Sequence, residues 1–178
     1  QRATNVLPKD FNLRNLFFLR FSHQRNSQIY NLKKELHLAK PQSPRANETN
    51  EKYCLRWISL KVIQQLKTNN SQHEFDIQIS NYPSENASYL VLASATPDPF
   101  IQDEIRSVSI GIKIDRQLKS KVNFLEDKSI KTVDVGVTCE RCAIENCKVR
   151  RAPAKVLMAN LKESLTAGVV ETIQKKFS

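Results

Sequence analysis

The alternation of apolar with other residues in 108–114 constrains the fold of this chain more than any other feature of its sequence. Apolar side chains recur there at every second position, which places them on one face of an extended strand. A run with this period does not suit a helix, whose faces repeat about every 3.6 residues. The segment therefore predicts a β-strand and a sheet for that strand to join.

Four other segments favour strands: 16–21, which also fits the final turn of a helix, 75–79, 89–95 and 133–137. Helices are expected between them. Ser27 precedes helix-spaced apolar residues, which predicts a helix over 28–39.

A strand that gives way to a helix is expected from Tyr53, with the helix ending near Asn69–Asn70, and Asp115 is placed to cap a third helix. From residue 153 apolar residues recur every four positions, which predicts a long amphipathic C-terminal helix with a kink at Gly168. Helices interspersed with strands and short turns favour the α+β class, with a largely antiparallel sheet flanked by helices.

The chain has 178 residues, 40% of them hydrophobic and 26% charged, and these values suit one globular domain. We divide it into a linker or helical lead-in (1–40), an α+β sensor core (51–138), a cysteine knuckle (139–152) and a C-terminal helix (153–178). The segment Pro41–Asn50 contains two prolines and almost no apolar residue, so an exposed loop is expected there.

The formal net charge of +10 favours an anionic partner, such as nucleic acid, a nucleotide, a CoA-type ligand or a membrane surface. The basic residues are scattered, so none of their runs resembles a nucleic-acid arm. There is no apolar run of membrane-spanning length and no signal-peptide pattern, which predicts a cytoplasmic protein without membrane association. A start at Gln1 suggests a chain that was cut or processed from a longer one.

Three cysteines, Cys139, Cys142 and Cys147, are spaced C-x2-C-x4-C. A C-x2-C pair on a turn can direct both sulfur atoms to one point, which is why this spacing recurs in zinc and iron–sulfur sites. The local sequence lacks a fourth ligand, and the candidates elsewhere in the chain are Cys54, His23, His37 and His73. A closed zinc site, a cluster with an open position, a disulfide and ordinary reduced thiols all fit the spacing.

Four basic residues surround the cysteines: Arg141, Lys148, Arg150 and Arg151. Positive charges of this kind favour the thiolate form of cysteine and offset the charge of a bound cluster. The same side chains are candidates for binding a phosphate or another anionic ligand. With only three, widely separated glycines the chain has no Gly-rich phosphate loop, and no catalytic motif surrounds Cys54, so no enzyme is expected.

The segment VDVGVTCERCAIENCKVRRAP, with FNLRNLFFLRFSH upstream and SYLVLASA and FLEDKSI between them, resembles the C-terminal regulatory region of bacterial XRE-type transcriptional regulators. The likeness is to the short-chain fatty acyl-CoA regulator group, and it covers most of the chain in order. Its specific element is the cysteine segment with Arg151-Ala152-Pro153.

The resemblance implies an effector domain that senses an acyl-CoA-like molecule and an iron–sulfur cluster on Cys139, Cys142 and Cys147. In that family a helix-turn-helix upstream of this region binds the operator, and it is not in this sequence. The middle of the chain diverges from the family, so the resemblance does not assign acyl-CoA contacts to residues.

Two functions therefore remain open. The first is an effector-sensing domain of a transcriptional regulator, which forms a homodimer and binds DNA through the upstream helix-turn-helix. The second is a structural zinc-knuckle domain that binds nucleic acid directly through its basic surface. The C-terminal helix suits either dimerisation or packing on its own sheet.

Overall fold

The computed structural model describes residues 15–37 and 51–177 of the chain. Six strands and three helices follow one another in this part of the sequence: β1 Leu16–Gln24, β2 Asn31–His37, α1 Ile58–Asn69, β3 Glu74–Tyr82, β4 Ala87–Pro97, β5 Glu104–Lys113, α2 Arg116–Lys121, β6 Lys131–Asp134 and α3 Lys155–Phe177. Short 3-10 turns lie at Pro83–Glu85 and Asn123–Glu126. The predicted α+β class is confirmed.

The strands form one sheet in the order β2-β1-β5-β4-β3-β6. All neighbouring pairs are antiparallel except β3 and β6, which are parallel. The sheet is therefore largely antiparallel, as predicted. β1, from the start of the described chain, lies inside the sheet between β5 and β2.

Helix α1 covers one face of the sheet and packs on β4, β3, β5 and β1. Several sheet residues beneath it are small or polar, and the Ser59 hydroxyl is hydrogen-bonded to the Ser109 hydroxyl at 2.7 Å. Gly111 accommodates the Phe17 ring, whose nearest atom would lie 2.1 Å from a Cβ at this position. Small side chains here let the helix approach closely, while Phe21, Trp57 and Tyr53 fill the core beside it.

The opposite face of the sheet, which we call the open face, carries the alternating apolar residues that identified the strands. One row runs across five strands through registered pairs: Ile77, Leu92, Ile110, Phe18 and Leu36. Ile110 and Leu36 are about half exposed, and Phe75 on the same face is 57% exposed. The pattern predicted strands correctly, but in this structure the face that the pattern marks as apolar is not the one that α1 buries.

The helix predicted over 28–39 is wrong where the structure describes it, because residues 31–37 form strand β2. β2 pairs with β1 through Phe18 and Leu36, so its apolar residues meet a neighbouring strand instead of a helix face. Ser27 accepts a hydrogen bond from the backbone N–H of Ile29 in the turn between the strands. Residues 16–37 are thus two strands of the sheet and not a helical lead-in, and the predicted loop Pro41–Asn50 lies outside the described residues.

The remaining boundaries agree with expectation more closely. α1 ends at Asn69, followed by Asn70 in the left-handed region with φ 47°. The carboxylate of Asp115 accepts a hydrogen bond from the Leu118 N–H at 2.8 Å and caps α2, as predicted. β6 spans Lys131–Asp134 and not the predicted 133–137, and Val135 and Val137 lie buried beyond its end. α3 is continuous through Gly168.

Candidate functional site

The cysteine loop, residues 139–152, is anchored to the core by backbone hydrogen bonds at its start. The Val135 N–H donates to the Asn81 carbonyl at 2.8 Å, and Thr138 forms an isolated antiparallel bridge with Tyr53. The Cys139 N–H donates to the Lys52 carbonyl at 2.8 Å. The parallel strand β6 therefore delivers the loop next to residues 52–54, where the fourth cysteine lies.

Cys54 shares the buried end of this loop with two of the three loop cysteines. Cys54, Cys139 and Cys142 are buried, and Cys147 is half-buried. Burial raises the pKa of the Cys54 thiol to about 11, and negative charge on the nearby Cys142 and Cys139 acts in the same direction. The spacing of the loop gave no sign of this neighbour. Only the fold brings Cys54 to the loop.

Gly136 allows Cys142 to pack directly against the backbone that precedes the loop. A Cβ at Gly136 would lie 2.7 Å from the Cys142 Sγ and 2.9 Å from its Cβ. Contacts this short do not occur between real side chains, so any larger residue at 136 would displace the cysteine. The packing of Cys142 therefore requires a glycine at position 136.

Three of the four predicted basic residues form hydrogen bonds inside the protein. Arg141 Nε donates to Glu51 Oε2 at 2.7 Å, and Arg150 donates to the carbonyl oxygens of Cys139, at 3.0 Å, and Ile144. Lys148 is exposed. These contacts hold the shape of the loop, and anion binding by the four residues stays a prediction.

Arg151 joins the cysteine loop to the β1–β2 hairpin. Its backbone N–H points to the Cys139 Sγ at 3.5 Å, its guanidinium donates to the Gln28 carbonyl at 3.0 Å, and it lies over the Tyr30 ring at 5.6 Å. Tyr30 stacks in turn on His23, with ring centroids 4.4 Å apart.

His23 is enclosed, and both of its ring nitrogens have partners. Nδ1 donates to the Ile29 carbonyl at 3.0 Å and Nε2 accepts from Lys67 Nζ at 3.1 Å, which defines a neutral imidazole. Burial lowers the pKa of His23, and the Lys67 charge lowers it further against the effect of the Ile29 carbonyl. The other described histidine side chain, that of His73, bonds the Ser94 hydroxyl at 2.9 Å. The side chain of His37 lies outside the described set.

The donor chemistry of the loop fits a soft metal, because thiols are the ligands of iron–sulfur clusters and structural zinc. Among residues 15–37 and 51–177, however, no three His, Cys, Asp or Glu side chains are gathered closely enough to hold a metal ion. All four cysteines are free thiols. Metal or cluster binding at Cys139, Cys142 and Cys147, with Cys54 as a further ligand, stays a prediction.

The cysteine loop also holds the start of helix α3. The Lys155 N–H donates to the Glu140 carbonyl at 2.8 Å, while the Glu140 carboxylate accepts from the Lys52 N–H at 3.0 and 3.2 Å. Beyond this first turn the described side chains of α3 are almost all exposed. Leu161, Leu165 and Val169 form an apolar stripe with exposed fractions of 62, 64 and 58%.

A cavity of about 530 Å³ lies at one end of the open face, between the sheet and residues 114–126. Its apolar wall consists of Ile79, Ile114, Val122 and Leu125, and its polar groups belong to Ser88, Lys119, Asn123 and Glu126. No motif in the sequence predicts this site. Its only signal in the sequence is the group of basic residues in 116–131, which belongs to the charge scattered along the chain.

No helix in the described part of the chain is both long and apolar enough to cross a membrane. No protein-family model, curated protein or solved structure matches this chain.

Proposed function

We propose that this chain is an effector-sensing, dimerising domain of a bacterial transcriptional regulator, whose DNA-binding helix-turn-helix lies upstream of it. The observation that carries the proposal is the position of the cysteine loop. It connects the last strand of the sheet directly to a long helix with an exposed apolar stripe. A change in the core or at the cysteines would therefore move the helix on which a dimer depends.

The homodimer is supported by the exposure of α3. A helix that packed on its own sheet would bury its apolar stripe, whereas Leu161, Leu165 and Val169 are each more than half exposed. Residues four apart lie on one side of a helix, so the three side chains present one continuous surface. A second copy of the same helix supplies a matching apolar surface, as in the paired helices of two-fold symmetric dimers.

The proposed cofactor is an iron–sulfur cluster or a zinc ion on Cys139, Cys142 and Cys147, with Cys54 as the candidate fourth ligand. A cluster would supply redox or ligand sensing, and zinc would hold the loop together. The test is iron, zinc and acid-labile sulfide content, with an absorption spectrum, of protein purified without oxygen. Iron with sulfide supports the cluster, and zinc alone supports the structural site. If the protein contains neither metal, the cysteines are ordinary thiols.

The regulator function is tested with the full-length protein, including the upstream helix-turn-helix. Operator DNA binding is measured with and without a short-chain acyl-CoA, for the natural protein and for Cys139→Ala. We expect acyl-CoA to change operator affinity and the Cys139→Ala change to weaken that response. Identical binding in all four conditions would refute the proposal.

Direct binding of nucleic acid by this chain is the second candidate, and the net charge of +10 favours it. The internal hydrogen bonds of Arg141, Arg150 and Arg151 argue against the cysteine loop as its contact surface. A filter-binding titration of this chain at two salt concentrations separates the two functions. Tight binding that weakens steeply with salt supports direct contact with phosphates. No binding at low salt would exclude direct binding of nucleic acid by this chain.

A further inference from the structure

We infer that the cavity between the open face and residues 114–126 is the effector site, and that it takes the acyl end of a short-chain acyl-CoA. The inference rests on the proposed function, because it assigns a place to the effector of that function. The volume of the cavity, about 530 Å³, falls in the range of small-molecule sites, roughly 300–1,000 Å³. This volume holds an acyl group and part of its carrier, so the nucleotide end of CoA would lie outside.

The walls of the cavity suit the two ends of such a ligand. Ile79, Ile114 and Leu125 supply apolar surface for a short hydrocarbon chain. Asn123 places an amide beside that surface, where a thioester carbonyl needs a donor, whereas the Ser88 hydroxyl already donates to Asn81 Oδ1 at 3.0 Å. Ile79 pairs with Leu90 across the sheet, so the floor is part of the rigid open face.

The chain segment that supplies one side of the cavity is rich in basic residues, which suit the phosphates of CoA. Lys119 lies in the lining itself, and the segment around it contributes further exposed cations, namely Arg116, Lys121, Lys128 and Lys131. Only Glu126 and Asp127 oppose them within 116–131. Free fatty acids carry a single negative charge, whereas CoA carries several, so this excess of positive charge favours the thioester over the free acid.

The cavity is connected through the chain to the cysteine loop. Leu125 and Glu126 line the cavity, and a tight turn follows, in which the Ile130 N–H donates to the Asp127 carbonyl at 3.0 Å. β6 begins at Lys131 and leads through Val135 to Cys139. A ligand that moves or orders residues 122–126 therefore acts on the strand that carries the cysteines and α3.

The binding test is isothermal titration calorimetry of this chain with butyryl-CoA, free CoA and butyrate. We expect butyryl-CoA to bind at least about tenfold more tightly than CoA, since each buried methylene contributes roughly fourfold. Lys119→Glu should weaken butyryl-CoA by roughly tenfold, and Leu125→Trp, which fills the cavity, should remove binding. The matched controls are Lys162→Glu, on exposed α3, and Phe124→Trp, next to the cavity but not in its lining; both should bind as the natural chain does.

Hydrogen exchange of the unmodified chain gives a second measurement that does not depend on variants folding. Butyryl-CoA should slow exchange in 114–137 above all. No binding of butyryl-CoA, equal binding by all four variants, or protection confined to other segments would each overturn the inference. An operator response to acyl-CoA that survives Leu125→Trp in the full-length protein refutes this cavity and leaves the proposed function standing, whereas identical operator binding with and without acyl-CoA, and after Cys139→Ala, refutes the function.

Discussion

At the scale of single residues, the structure shows where the cysteines lie and what His23 and His73 contact. The three loop cysteines were recognisable from their spacing, but the burial of Cys139 and Cys142 and the proximity of Cys54 were not. They depend on β6 running parallel to β3, a long-range pairing that no local pattern encodes. His23 looked ordinary in the sequence, and its enclosure by Tyr30 and Lys67 also appears only in the fold.

His23 should make the protein less stable as the pH falls below about 6.5. Its pKa is lower in the folded state than the ordinary histidine value of about 6.5, so as the pH falls the unfolded chain takes up the proton first and is stabilised relative to the folded one. The loss has a limiting slope of about 1.4 kcal/mol per pH unit. The loss of stability is measured from the midpoint of denaturant-induced unfolding at a series of pH values between 8 and 5.5.

The change His23→Gln should remove this slope, whereas His73→Gln, on an exposed residue, should keep it. The acidic groups with lowered pKa values, Glu74, Asp76 and Asp127, affect stability only at pH values below this range. A slope that persists unchanged in His23→Gln would show that another group is responsible.

The four cysteines should react with a maleimide in a defined order when metal has been removed with a chelator. Cys147 is half-buried and should be alkylated first, whereas Cys54 is buried with a pKa of about 11 and should react last. Mass spectrometry of the labelled peptides gives the order. Cys147→Ser should abolish the fast phase and Cys54→Ser should keep it; labelling of Cys54 as fast as Cys147 would contradict the packing described here.

At the scale of elements, the sequence predicted the class and most strands, because period two is a property of the backbone itself. It failed at β2, whose apolar residues have a spacing that fits a helix or an edge strand equally well. It also could not show which face α1 would cover. Gln78, Ser80 and Ser107 lie buried on the α1 side. Ile77, Ile79 and Ile110 of the same strands lie on the open face.

Gly136 and Gly168 form a matched pair for testing the loop. Gly136→Ala should destabilise the protein by about 1–3 kcal/mol, because the new methyl group must displace Cys142. Gly168→Ala has open space and should stabilise α3 by about 1 kcal/mol or less. Thermal unfolding measures both, and equal effects of the two changes would show that Cys142 does not pack on Gly136.

At the scale of the whole molecule, the prediction is that the chain is a dimer through α3. Leu161→Glu combined with Leu165→Glu should give a monomer, because charges would replace the centre of the apolar stripe. Lys162→Glu with Glu163→Lys leaves that stripe and the net charge intact and should remain dimeric. Sedimentation velocity gives the mass of each, and a natural chain that sediments as a monomer at high concentration would refute the α3 dimer.

The position of β1 inside the sheet affects how the protein folds during synthesis. Leu16 pairs with Ile112, so one edge of β1, the first described strand, has no pairing partner until β5 has formed. During synthesis β1 and β2 leave the ribosome before β5, so the edge of β1 that pairs with β5 is expected to stay exposed until β5 has been made. Pairings between such distant segments slow folding. Nascent chains of this protein are therefore expected to need protection from aggregation until residue 113 has emerged.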